Sequence, residues 1–429
     1  MSAVETTSQQ PKDAKAVKRR TRRARLLLLL ITVLFCLAVI EIGLRIAGFS
    51  YPRFYIADAR RGYALRPGVE GWYRLEGGSY VSINSDGLRD REHSKTKPPN
   101  TVRIAVLGDS YAEALQVPFE NSFCAVLESK LKECLASSGR DVEVINFGVS
   151  GYGTAQELIT LRDRVWQYSP DIVLLAVTTN NDISDNSREL KRVEQIPFFV
   201  WRDGALVEDQ SFLESKAFKV RESFIGSLGR WFRDHLRVVQ GIDLAVHNYK
   251  LSRLVRKATP SAQAPTPKPT QSNPSTESSP PPAPATDVGI DNEIYREPRN
   301  PVWNNAWRTT EALVKIVGEE VRAHGASFLV VTLSNGIQVT PDPQTRTAFL
   351  QKIGATDIFY PDKRIHEFCD RERIPVLTLA PSLQRYAETN NVYLHGFGEN
   401  IGNGHWNVLG HKVAGELIAS QICGMSTQP

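Results

Sequence analysis

Four short stretches carry side chains from which acyl-transfer chemistry could be assembled. Gly108-Asp109-Ser110 supplies a hydroxyl, and Asn146 to Gly151 (Asn-Phe-Gly-Val-Ser-Gly) supplies backbone N–H groups. Asn180-Asn181-Asp182 supplies a side-chain amide, and Asn403 to His411 (Asn-Gly-His-Trp-Asn-Val-Leu-Gly-His) supplies an imidazole. A serine hydroxyl is a weak nucleophile and needs a base within hydrogen-bond reach. The carbonyl it attacks becomes an oxyanion and needs donors aimed at it. Ser110 is the candidate nucleophile and His405 its base. The expected oxyanion donors are the backbone N–H groups of Ser110 and Gly148 and the side-chain amide of Asn181. His411 would lie inside the following helix and reads as packing or capping, and His395 is a lesser competitor for the role of base.

Taken singly these signals are weak. A serine after a strand is often a helix cap, Gly148 reads equally well as a strand-end turn, and Asn181 as a loop-capping amide. A Gly-Asp-Ser triplet arises by chance in roughly one chain in ten of this length. The weight comes from the elements that carry them. The β-branched and apolar runs 101–107, 142–147, 171–177, 326–333 and 374–380 predict buried strands. Segments 119–137, 154–168, 303–323, 361–372 and 408–422 have helical spacing, with Asn407 a natural N-cap for the last. Strands alternating with helices predict an α/β fold with a five-stranded parallel sheet covered on both faces. In such sheets a site forms beyond the carboxyl ends of the strands. Ser110 follows the first run, Gly148 the second and Asn181 the third, while His405 precedes the last helix, so all four can converge on one rim.

The 429 residues carry a net charge of +5, but residues 1–25 hold eight bases against two acids. Six positive charges therefore sit in that tail and the remainder nets −1, which leaves no basic excess to bind nucleic acid. Leu26 to Ile40 is an uncharged run, apolar but for Thr32, that can continue to residue 48, and Glu41 and Arg45 can pair four apart on one helix face. With its basic flank it predicts a transmembrane signal anchor over 26–48, tail in the cytoplasm and the rest outside. No small-x-small cleavage site follows the run. Of the five cysteines, Cys36 is in the run, Cys124 and Cys134 share a helix, and Cys369 and Cys423 are the pair that could bridge in an exported domain. No cysteine and histidine spacing suggests a metal site, and no cofactor is expected.

The boundaries read as a basic tail over 1–25, the anchor over 26–48, a juxtamembrane cap over 49–100, and the main domain in two parts, 101–186 and 301–429. Between those parts lies an insertion over 187–300. Its stretch 258–287 is rich in Pro and Ser and cannot bury enough apolar surface to order itself. The basic and apolar mix before that stretch fits a surface amphipathic helix.

Gly108-Asp109-Ser110, Gly148, Asn181-Asp182 and His405, in that order, resemble the four blocks of the SGNH hydrolases, also called GDSL esterases and lipases. The resemblance covers roughly 101–185 and 303–423. It implies a three-layer α/β/α, flavodoxin-like fold and hydrolysis or transfer of acyl esters. The anchor and the Gly-His-Trp-Asn-x-x-Gly-His stretch are similar to exported members, some of which alter the acetylation of cell-surface polysaccharides. The implied enzyme is an esterase of the bacterial inner membrane, its catalytic domain periplasmic, acting on acyl, chiefly acetyl, esters of a glycan or lipid. Alternatives are an O-acyltransferase fed by a membrane acyl-donor partner, and a binding protein that has lost the chemistry. One departure stands out. The family usually has an aspartate two or three residues before the histidine, where this chain has Gly402 and Asn403. Asn403 could orient the ring as a third member without supplying charge. Glu399 or an acid from elsewhere could replace it, or the pair could work as a dyad.

Overall fold

The computed structural model describes residues 10–258 and 292–426. The chain divides into two compact units, Met1–Pro52 with Leu228–Pro267, and Arg53–Ser227 with Lys268–Pro429.

The second unit opens with two antiparallel hairpins, β1 (Tyr55–Asp58) with β2 (Gly62–Leu65) and β3 (Glu70–Tyr73) with β4 (Ser79–Ser82). A sheet strand, β5 (Thr101–Leu107), follows, then β6 (Asp141–Asn146) and β7 (Ile172–Thr178). A further hairpin, β8 (Phe198–Arg202) with β9 (Ala205–Asp209), interrupts before β10 (Ser327–Leu333) and β11 (Val376–Thr378) complete the sheet. The sheet order is β11-β10-β7-β5-β6, with every pairing parallel. Relabelled by order along the chain this is 2-1-3-4-5, the flavodoxin-like arrangement, whose connections reverse direction between β5 and β7.

The layers follow from strand alternation. Ile104 and Val106 of β5 point to one face, where they pack with residues of helices Phe123–Leu135, Ala380–Asn390 and Val408–Ser426. Ala105 and Leu107 point to the other, against helices Thr154–Asp163, Pro301–Ala323 and Tyr360–Arg371. With both faces covered, all seven residues of β5 are buried, including Arg103, which pairs with Glu143 on β6. The five strands and their helices lie within a few residues of the runs read from sequence.

The 53–90 region differs from the irregular cap expected from its Gly, Pro and Arg content. Its hairpins bury Phe54, Leu65, Val69, Val81 and Ile83 in a core shared with Leu115, Val149 and Tyr152. The chain turns at Asp86-Gly87, with Gly87 at φ 74°. The cysteines also pair differently. Cys134 bonds Cys423 across the helix pair Phe123–Leu135 and Val408–Ser426, while Cys369 is buried and free. These helices approach closely, and a Cβ at Gly415 would stand 2.8 Å from Val126 Cβ. That approach brings the last turn of each within bridging range.

In the first unit, Gln10–Ile46 is a single helix, of which Arg19–Ile46 is long and apolar enough to cross a membrane. Arg45 Nε donates to Glu41 Oε1 at 2.8 Å, the expected i, i+4 pair. The Pro- and Ser-rich stretch 258–287 lies outside the described residues, apart from Ala258.

Candidate active site

Ser110 opens a one-turn helix, Ser110–Glu113, at the carboxyl end of β5. Its neighbour Asp109 is the N-cap, its Oδ1 accepting the Tyr111 N–H at 2.9 Å, so the serine hydroxyl is not consumed in capping. Ser110 Oγ instead donates to His405 Nε2 at 2.7 Å. Gly108 admits the tight exit from the strand, since a Cβ there would meet Ala112 Cβ at 2.9 Å.

His405 Nδ1 donates to Glu76 Oε2 at 2.5 Å, and the His405 backbone N–H donates to Glu76 Oε1 at 2.9 Å. The carboxylate thus clamps ring and backbone together. Asn403, expected as the third member, is not there. Its N–H donates to Asn400 O at 3.0 Å, and its side chain has no hydrogen bond among the described residues. Glu399 is exposed. The reason is steric and local: Gly404, at φ 73°, leaves the space where a Cβ would stand 2.2 Å from Glu76 Oε1. An acid from the far end of the chain fills the place an acid in the histidine loop would take.

Glu76 sits in the β3–β4 turn. Gly77, at φ 65°, would place a Cβ 2.4 Å from Gln116 O, the Gly78 N–H donates to that same oxygen at 3.1 Å, and Ser79 Oγ donates to Leu115 O at 2.7 Å. The turn is thereby fixed to the segment that follows the nucleophile helix. Burial acts against charge on both partners, but their mutual hydrogen bond and attraction outweigh it. The Glu76 carboxyl is held below its ordinary range and the His405 ring is raised above 6.5. A base held by a charged acid and bonded to a serine hydroxyl is the arrangement that activates a nucleophile.

His395 and His411, the two other histidines considered for the role of base, are buried in the packing. His395 is buried, donating through Nδ1 to Gly404 O at 2.7 Å, with Nε2 3.0 Å from Ser334 Oγ. Burial pulls it down to about 4, so it stays neutral. His411 accepts the Phe123 N–H at 3.3 Å and is likewise pushed well down by burial.

Of the expected oxyanion donors, the Ser110 N–H has no acceptor among the described residues, as befits the first turn of a helix. Asn181 Nδ2 donates to Asp109 Oδ2 at 2.9 Å, which aims the amide and leaves its second proton. Thr178 Oγ1 donates to Asp109 Oδ1 at 3.0 Å, so this buried aspartate ties the nucleophile turn to the end of β7. Gly148 departs from expectation. Its N–H donates to Asn146 Oδ1 at 2.9 Å, and a Cβ there would lie 2.5 Å from Ala112 Cβ and 2.6 Å from Glu113 N. The missing side chain makes room for the nucleophile helix, not for substrate. Gly148→Ala is expected to cost about 1–3 kcal/mol by overpacking, measured by urea unfolding; unchanged stability with lost activity would return Gly148 to the substrate side.

Three residues on, the N–H of Gly151 has no acceptor among the described residues. Its neighbour Ser150 is fixed by the buried Glu113, which accepts the Ser150 N–H at 3.0 Å and its hydroxyl, and the Tyr55 hydroxyl at 2.8 Å. Burial raises Glu113 to about 7 despite those bonds. No group of three or more potential metal-ligating side chains occurs among the described residues.

No family model matches the chain. It is 36% identical over 81 residues to an arylesterase of Vibrio mimicus, an overlap of 19% of this chain and 38% of that relative. The chain thus matches well under half of the arylesterase's length. Among solved structures it aligns with the acetyl xylan esterase AlAXEase (12% identity, 75% of this chain, 100% of the other, TM-score 0.34). It also aligns with the acetylxylan esterase Axe2 of Geobacillus stearothermophilus (10% identity, 75% and 94%, TM-score 0.36). What the chain itself shows is a parallel sheet in the order 2-1-3-4-5 with a Gly-Asp-Ser exit from β5 and a hydrogen-bonded serine, histidine and carboxylate on its rim.

Proposed function

We propose that the chain is a membrane-anchored serine esterase acting through an acyl-enzyme. The observation that carries this is the continuous Glu76–His405–Ser110 chain of hydrogen bonds on the sheet rim. His405 takes the proton of Ser110 as the hydroxyl attacks an ester carbonyl, and Glu76 holds the resulting imidazolium. The Ser110 N–H, the Asn181 amide and the Gly151 N–H take the negative charge of the tetrahedral intermediate. His405 then returns the proton to the leaving alcohol, and a water activated by the same ring releases the acyl group. The proposed substrate class is an acyl ester of a glycan or lipid, acetyl among the acyl groups; the arylesterase likeness bears on ester cleavage alone.

The anchor reading draws on Arg19–Ile46, whose most apolar window is wholly exposed on the protein, and on its basic N-terminal flank. With that flank, the proposal puts the N-terminus in the cytoplasm of a bacterial cell and the catalytic unit on the periplasmic side. The Cys134–Cys423 disulfide suits an oxidising compartment.

The test is reaction with a fluorophosphonate followed by peptide mass spectrometry, alongside turnover of a short-chain activated ester. A single adduct on Ser110 that abolishes turnover is expected. A folded protein that neither hydrolyses the ester nor takes the label would overturn the proposal.

A further inference from the structure

The apolar helix ends in a stitched junction. Arg45 Nη2 donates to His235 O at 2.6 Å, and Glu41 Oε2 accepts the Val238 N–H at 3.0 Å. Beyond the helix end, the Tyr51 N–H donates to Gln240 Oε1 at 2.9 Å, and Gln240 Nε2 donates to Arg233 O at 2.8 Å. The point where helix Phe224–His235 gives way to helix Arg237–Ala258 is therefore fixed to the last turns of Arg19–Ile46, all within one compact unit. If that helix crosses a bilayer, its last turns stand at the bilayer surface, and the junction stands there with them.

Both helices expose apolar faces at this level. Leu228, Trp231 and Phe232 lie at helical spacing and are 42–51% exposed, and Ile242, Val246 and Tyr249 repeat the pattern at 45–62%. Arg230, Arg233 and Arg237 alternate with these side chains in the sequence. Arginines beside an apolar stripe that holds a tryptophan suit the boundary between acyl chains and anionic headgroups.

We infer that these two helices lie on the outer surface of the bilayer that the anchor crosses, their apolar faces in the headgroup–acyl boundary. This rests on the anchor reading above. The occupant is lipid because the stripes are held at the exit of a helix long enough to span, where acyl chains are the nearest apolar phase. The catalytic unit would then be tethered by a second, in-plane contact as well as by the spanning helix.

The test uses the full chain with Cys36→Ser and either Phe232→Cys or, as control on the exposed end of helix Pro343–Ile353, Lys352→Cys. Each is labelled with a polarity-sensitive fluorophore and reconstituted into phosphatidylcholine–phosphatidylglycerol vesicles. The expected result is that the label at 232 is quenched about twofold or more by lipid carrying a doxyl group near the headgroup and is shielded from aqueous iodide, and that the label at 352 behaves oppositely. A chain that floats with vesicles while position 232 stays open to iodide overturns the surface contact alone. A chain that fails to float overturns the anchor reading and this one together.

Discussion

Replacing Glu76 by Gln is expected to lower kcat for ester hydrolysis by on the order of 10²–10⁴-fold with the fold intact. Gln keeps the size of the side chain but removes the charge that stabilises protonated His405. The sign of the accompanying pH effect follows from the same contact. His405 must be neutral to take the serine proton, so the rate falls as pH drops through its pKa. That pKa is raised above 6.5 because Glu76 outweighs burial. In Glu76→Gln the largest raising influence is gone, burial is opposed only by the charges of Asp109 and Glu113, and the acid limb of the pH–rate profile moves to lower pH. Asn403→Ala is the matched control and should change kcat by no more than about twofold, as surface substitutions outside a network do. Equal losses in the two variants would remove Glu76 from the triad and restore the histidine loop as the source of the third member.

Ser110→Ala is expected to cost on the order of 10⁶-fold in kcat with little change in KM, because the acyl-enzyme route closes while the cleft stays. The Ser110→Ala, His405→Ala double variant should be no slower than either single one, since nucleophile and base act as a unit. Steady-state kinetics on an activated short-chain ester reads both. Losses that multiply would indicate that the 2.7 Å contact between them is not used in the reaction.

Much of the fold was legible because burial on both faces leaves a plain trace: β5 and β7 read as apolar runs, and their ends carry the polar blocks. Ser110, Asn181 and His405 were legible because each follows a strand or precedes a helix whose place in a parallel sheet is set by topology. Glu76 was not. Its one local signal is an acid before Gly77-Gly78 between the strand-like pieces that hold Trp72 and Tyr80, which predicts a hairpin. Nothing in one sequence tells that this turn meets a histidine 329 positions away. Gly148 was misassigned for a related reason. A glycine at a strand end signals close approach, but whether substrate or the protein's own Ala112 approaches is decided by packing. The Cys134–Cys423 bridge likewise depends on which helix lies beside the last one.

The bridge has a consequence for the integrity of the site under attack by proteases. Its two cysteines stand 289 positions apart, and the Pro- and Ser-rich stretch 258–287 falls inside that span. A single cut there would leave an N-terminal fragment holding Glu76, Ser110 and Cys134 and a C-terminal fragment holding His405 and Cys423. The fragments would stay covalently joined through the two helices that flank the sheet, so a nicked molecule could keep all three members of its triad in register. Cleavage in that stretch would then be silent until the bridge is reduced, when the serine and its base would no longer be covalently joined.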